Sequence, residues 1–138
     1  LVRTKSILSL KPKFLFIMLG VNDIYNGVKI TEILFNYKKL IQLFKKENIK
    51  VFVQSTIQCE IAKNPIEVIK EINKLNKHLK ILTKMEKVNF LDLNELSATD
   101  GLNKKFTYDG KHLSAEAYKV WVKIISLKLK EIGFFNKS

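Results

Sequence analysis

The sequence predicts an α/β fold, a three-layer α/β/α sandwich built on a parallel sheet. Three observations carry this expectation. Short apolar runs without polar alternation recur along the chain, as in strands buried on both faces. Stretches with apolar residues at helical spacing separate them. The resulting order is strand, helix, strand, helix, strand, loop, helix, which calls for crossover connections and helices on both faces of the sheet.

Residues 1–13 are basic and weakly patterned. Val2, Ile7, Leu8 and Leu10 suit the tail of a helix that began before residue 1, and Pro12 stops it, because the residue before a proline is pushed out of the helical region. Phe14 to Leu19 is an apolar run of six between Pro12 and Gly20, read as a strand buried on both faces. The stretch Gly20 to Gly27 reads as a loop. Thr31 is placed to cap the next helix, with Ile33, Leu34, Tyr37, Leu40, Ile41 and Phe44 on its buried face and its end near Asn48. Val51-Phe52-Val53 reads as a second strand, leading into Gln54-Ser55-Thr56. Asn64-Pro65-Ile66-Glu67 combines a cap, a proline at the first helical position and an acid three residues after the cap. The helix it starts has a stripe of Ile66, Ile69, Ile72, Leu75, Leu79 and Leu82. Val88 to Leu91 reads as the third strand, followed by a polar segment from Ser97 to Tyr108. The last helix starts at Ser114 and is expected to bury Tyr118, Trp121, Val122, Ile125 and Leu129.

A chain of 138 residues suits a single domain over 1–138, and no repeat or low-complexity linker divides it. No apolar run approaches the roughly 18 residues that span a bilayer, so no transmembrane segment is expected. The one cysteine, Cys59, excludes an internal disulfide and a multi-cysteine metal site. No signal peptide is visible, and the composition leaves the compartment and oligomeric state open. The net charge of +12 comes from lysines spread over every predicted helix, with Arg3 the only arginine. A nucleic-acid footprint gathers its charge on one face, so weak, non-specific association is expected and no specific nucleic-acid partner.

Ligands of open parallel sheets bind beyond the carboxyl ends of the strands. Two polar stretches fall there. Gly20-Val21-Asn22-Asp23 follows the first strand, and Asn22 offers a neutral amide that can donate to an oxyanion. Asp109-Gly110-Lys111-His112 precedes the last helix. There the carboxylate can hold the imidazole in one tautomer, leaving its other nitrogen to take a proton. Taken separately, each stretch also reads as plain turn chemistry or as an anion near a helix start.

Together, in this order, they identify a family. Phe16 to Asp23 resembles the Gly-x-Asn-Asp block of the SGNH (GDSL-like) hydrolases, and Asp109 to Ser114 resembles their Asp-x-x-His block, including the following Leu-Ser. Val53 to Thr56, Asn73 to Asn76 and Phe90 to Leu93 resemble the segments between. The resemblance implies the flavodoxin-like sandwich of that family. It also implies a serine esterase or acylhydrolase acting on a small acylated substrate, a sugar or lipid ester, without metal or cofactor. His112 would be the general base, Asp109 its orienting acid and Asn22 the oxyanion-hole donor, with Gly20 and Asp23 shaping the loop.

The family's nucleophile stands in a Gly-Asp-Ser block upstream of both motifs. None of the seven serines, Ser6, Ser9, Ser55, Ser97, Ser114, Ser126 and Ser138, has that context. The resemblance therefore implies a C-terminal portion of a longer hydrolase, with its N-terminal strand or strands missing and inactive alone. The alternative is a truncated or degenerate module that binds an acylated ligand without cleaving it. Ser55 is read as a loop residue, His78 as exposed, Cys59 as an unactivated loop thiol, Trp121 with Tyr118 as core packing, and Asp92 with Glu95 as a loop after a strand rather than a carboxylate pair.

Overall fold

The computed structural model describes residues 3–57, 65–98, 101–102, 104–106 and 113–133. A helix, α1 (Arg3–Ser9), leads to β1 (Phe14–Ile17), a short helix α2 (Val21–Tyr25) and the long α3 (Ile30–Lys46). Then come β2 (Lys50–Gln54), α4 (Pro65–Met85) and β3 (Asn89–Leu91). A 3-10 turn (Asn94–Leu96), a two-residue antiparallel pair β4 (Ser97–Ala98) and β5 (Gly101–Leu102), a second 3-10 turn (Lys104–Phe106) and α5 (Ala115–Glu131) complete it.

The main sheet is parallel, with β2 between β1 and β3. Phe16 faces Phe52, Ile17 faces Val53, and Gln54 faces Leu91 across the ladders. Period-2 alternation then divides the side chains. Leu15, Ile17, Val51, Val53 and Phe90 join Ile33, Tyr37, Ile41 and Phe44 of α3 and Leu75 and Leu79 of α4 in one core cluster. On the opposite face Phe16 stacks on Phe52 with ring centroids 4.7 Å apart. There too the Trp121 indole N–H of α5 donates to Gln54 Oε1 at 2.6 Å. The helices thus lie on both sides of a parallel sheet, the three-layer arrangement expected.

Several local expectations need correction. Phe14 to Leu19 was expected to be buried on both faces, but β1 is an outer strand of the three. Of its residues only Ile17 is fully buried, and the strand stops two residues short of Leu19. The stretch Gly20 to Gly27 is no plain loop, since Val21–Tyr25 is helical. Lys29, not Thr31, caps α3, and it does so without a side-chain bond. Ile66 of the α4 stripe is exposed, while the stripe's polar neighbour Asn76 is buried. The segment from Ser97 contains the β4–β5 pair.

The largest correction concerns α5. Its inward face carries Ala117, Val120, Trp121 and Ile124 against a second cluster of Ile57, Leu93, Leu96 and Phe106. Tyr118 is 55% exposed and Val122 61% exposed. The helix has two apolar stripes one residue apart. The inward face seats Trp121 on the Gln54 amide, turns Tyr118 and Val122 outward and leaves Ile125 and Leu129 half-buried.

Ser55, read as a loop residue, is fully buried, and it joins the ends of two strands. Its N–H donates to the Leu91 carbonyl at 2.8 Å, and its Oγ accepts from the Leu93 N–H at 2.7 Å. Ser55→Ala strands that buried donor. It should cost about 1–3 kcal/mol in urea unfolding, with Ser55→Thr closer to wild type if the hydroxyl is what matters.

Candidate active site

The Gly20–Asp23 stretch lies at the carboxyl end of β1, and its shape follows from two constraints. Gly20 has φ +110°, outside the region that side chains tolerate. A Cβ there would also stand 2.9 Å from Leu75 Cδ2 and 3.5 Å from Ile33 Cγ2, both on buried side chains. Glycine therefore lets the chain turn sharply while α3 and α4 close in behind it. The turn leads straight into α2, where the Ile24 N–H donates to the Gly20 carbonyl at 2.9 Å and the Asn26 N–H to the Asn22 carbonyl at 2.9 Å. Asn22 and Asp23 thus sit in the first turn of a short helix, both exposed.

Just before the glycine, the Leu19 peptide is held by side chains. Its N–H donates to the Tyr37 hydroxyl at 2.7 Å, and its carbonyl accepts from the same hydroxyl at 2.8 Å and from Thr56 Oγ1 at 2.9 Å. Burial pushes the Tyr37 phenol up to about 12. The hydrogen bonds with Leu19 and Thr56 offset part of that rise, and the Asp23 carboxylate adds to it. The backbone of Thr56 is in turn held by Asn76 of α4, whose Oδ1 accepts from the Thr56 N–H at 2.7 Å and whose amide donates to the Thr56 carbonyl at 2.9 Å.

An open cleft of about 590 Å³ borders this stretch, lined by Met18 to Asp23 together with Asn36, Leu40 and Ile57. Asn22, Asp23 and Asn36 are its polar lining groups, and the rest of its wall is apolar. Among the described residues no group of three metal-ligating side chains gathers here or elsewhere.

Asp109 and His112 lie outside the described residues, as do Gly110, Lys111 and Cys59. Their flanks are described. The Ser114 N–H donates to the Phe106 carbonyl at 2.8 Å, and Ser114 Oγ caps α5 by accepting from the Ala117 N–H at 3.3 Å. Leu113 and Met18 pack against the same cluster of Ile57, Leu93, Leu96, Phe106 and Ala117. The neighbour of His112 and the neighbour of the Gly20–Asn22 turn therefore border one apolar core at one end of the sheet.

The other singled-out residues are structural. His78 is exposed, with Nδ1 2.8 Å from the Lys74 carbonyl. Asp92 is exposed and accepts from the Asn94 N–H at 2.9 Å in a local turn. Trp121 is half-buried on Gln54, but Tyr118 is not core and stacks on it from outside, with centroids 6.2 Å apart. Tyr37, Thr56 and Asn76 escaped the sequence reading as functional candidates. The available signals were that Thr56 and Asn76 fall in stretches resembling family segments and that Asn76 lies directly beside Leu75 in a buried stripe.

Comparison with known proteins places these features. A family model described as the GDSL-like lipase/acylhydrolase family matches residues 2–120. A solved structure from Bacteroides fragilis, described as a candidate acylhydrolase, superposes with a TM-score of 0.82 at 25% identity, covering 95% of this chain and 68% of that one. A GDSL-like lipase from Bacteroides thetaiotaomicron gives 0.83 at 22% identity, covering 95% and 69%. In sequence, the chain is 32% identical over 103 residues to an N-acylneuraminate cytidylyltransferase of Streptococcus agalactiae. That match takes in 74% of this chain and 24% of the relative, so the chain corresponds to about a quarter of that protein.

Two measurements check the geometry. Gly20→Ala should destabilise by roughly 2–4 kcal/mol, from the left-handed φ plus the clash with Leu75, read as a fall in the denaturation midpoint. The second concerns alkaline pH. An unfolded tyrosine loses its proton near 10.0, whereas folded Tyr37 keeps it to about 12. The unfolded state is therefore favoured as pH rises through that window. The stability present below pH 10 should drop by about 2–3 kcal/mol between pH 10 and 12, and Tyr37→Phe should flatten that part of the fall.

Proposed function

The chain belongs to the GDSL-like lipase/acylhydrolase family, and from that premise we propose that it is the oxyanion and acid–base portion of an ester hydrolase. The observation supporting this is that the family match, over residues 2–120, spans both the Gly20–Asp23 turn and the Asp109–His112 block. In the proposed reaction Asp109 accepts a hydrogen bond from one ring nitrogen of His112 and fixes its tautomer. The other nitrogen takes the proton of a serine hydroxyl as its oxygen attacks the acyl carbonyl. Asn22 donates its side-chain N–H to the oxygen that gains the negative charge. His112 then protonates the departing alcohol, and later deprotonates the water that releases the acid. None of the seven serines present follows Gly-Asp, so none of them is assigned as this nucleophile.

For the substrate we propose a short acyl ester of a sugar. The Streptococcus agalactiae relative is named for N-acylneuraminate, an acidic amino sugar, and a net charge of +12 favours an anionic substrate at long range. Cytidylyl transfer is not carried over, because the chain corresponds to only 24% of that relative. The apolar walls contributed by Met18, Leu19, Val21 and Ile57 suit a short acyl group better than a charged one.

The test is hydrolysis by the full-length gene product of p-nitrophenyl acetate, an acetylated xylose and an O-acetylated N-acylneuraminate. Asn22→Ala should lower kcat by about 10²–10³, and His112→Ala by at least about 10²–10⁴. Saturable binding of the acetylated sugar without turnover by the wild type would instead favour a ligand-binding module, the reading consistent with the absence of a Gly-Asp-Ser serine in this stretch.

A further inference from the structure

We propose that Tyr37, Thr56 and Asn76 are positioning residues for Asn22, acting through the Leu19 peptide. This rests on the reading of Asn22 as an oxyanion donor. β1 stops at Ile17, whose ladder partner is Val53. Leu19, two residues on, has left the ladder, and its peptide must find other partners. Two side chains supply them, and a third holds one of the two. The Tyr37 hydroxyl, from α3, both accepts from the Leu19 N–H and donates to the Leu19 carbonyl, at 2.7 and 2.8 Å. Thr56 Oγ1, just beyond β2, donates to the same carbonyl at 2.9 Å, so both oxygen lone pairs are engaged. Asn76, from α4, then fixes Thr56 through both its N–H and its carbonyl, at 2.7 and 2.9 Å.

The network is buried: Tyr37 and Thr56 are each 1% exposed and Asn76 is 9% exposed. Part of its role is to pair the Leu19 N–H and carbonyl, which a phenylalanine at 37 and a valine at 56 would leave without these partners at nearly the same volume. It also supplies direction. It holds the last peptide before Gly20, and Gly20 hands the chain to the first turn of α2, where Asn22 sits. A donor that must meet a developing oxyanion needs its backbone held to a fraction of an ångström, and displacement by about 1 Å can cost roughly 10²-fold in rate.

Three variants test this in the full-length gene product: Tyr37→Phe, Thr56→Val and, as the conservative control, Thr56→Ser. The first readout is amide hydrogen exchange. Tyr37→Phe and Thr56→Val should speed exchange at Leu19 and Ile24 by about tenfold, the loss of roughly one buried hydrogen bond, with Val51 and Val53 of β2 little changed. The second is hydrolysis of p-nitrophenyl acetate well below each variant's unfolding temperature. There kcat should fall about 10- to 100-fold with KM and the pH profile unmoved, and Thr56→Ser should restore most of the rate. A purely structural role predicts lower unfolding temperatures with kcat intact, and that result overturns the proposal. Wild-type protein inactive on every ester would sink the esterase reading instead. The exchange measurement then decides the positioning role alone, with unchanged exchange at Leu19 and Ile24 counting against it.

Discussion

The peptide of Leu19 is where this structure meets its hardest local problem. A strand that ends among packed helices leaves backbone donors and acceptors without ladder partners, and burying them unpaired is costly. Here the answer is a tyrosine hydroxyl that accepts from the peptide N–H and donates to the peptide oxygen, with a threonine hydroxyl completing the oxygen's second lone pair. Because the partners come from α3, the end of β2 and, through Asn76, α4, the turn is held by contacts distant in the chain. The turn is therefore a product of tertiary packing. Gly20 adds the steric half of the same condition, since α4 approaches through Leu75 to within a distance that any side chain would block.

The same packing brings the flanks of the two motif blocks, Met18 and Leu113, onto one core. One cluster fills the space between α3, α4 and the sheet, and another lies under α5. The second cluster joins residues distant in the chain: Ile57 beyond β2, Leu93 and Leu96 beyond β3, Phe106, and Ala117 at the start of α5. All follow the carboxyl ends of strands or begin the last helix. Met18 and Leu113 close onto it from opposite ends of the chain. A core placed there, beyond the strands and not only between sheet and helices, is what allows a β1 turn and an α5 approach to share one end of the sheet.

The strands and α3 were legible because their signals are local. Phe14–Ile17, Val51–Val53 and Phe90–Leu91 are apolar runs, and the α3 stripe from Ile33 to Phe44 has no rival on that helix. α5 was misread for the opposite reason. Of the five residues expected to be buried, Trp121, Ile125 and Leu129 are half-buried while Tyr118 and Val122 are exposed, and the face that turns inward seats Trp121 on Gln54, 67 residues away. α2 was hidden because five residues carry no stripe and because Gly-Val-Asn-Asp is equally good turn chemistry. The motif blocks themselves were recognisable. The Tyr37–Thr56–Asn76 support was not, since it links positions 18, 37 and 20 residues apart through hydroxyl and amide groups that also read as ordinary core or loop residues.

These facts bear on how such a site can be both precise and open. Asn22 is exposed and faces a cleft with apolar walls, where a flexible side chain alone would make an indifferent donor. In the proposed role its precision comes from the backbone behind it, held three residues earlier at the part-buried Leu19 backbone, whose N–H and carbonyl both have partners. Rigidity and exposure are thus assigned to different residues, with Gly20 as the joint between them. Substitutions on the cleft wall, at Val21 or Asn36, can then alter what is bound without touching Leu19. On the proposed reading, substitutions in the buried network act on every substrate alike, because they displace the donor and leave the pocket unchanged. Under the proposed function, this division would let the fold keep one geometry while the loops around it change what is bound.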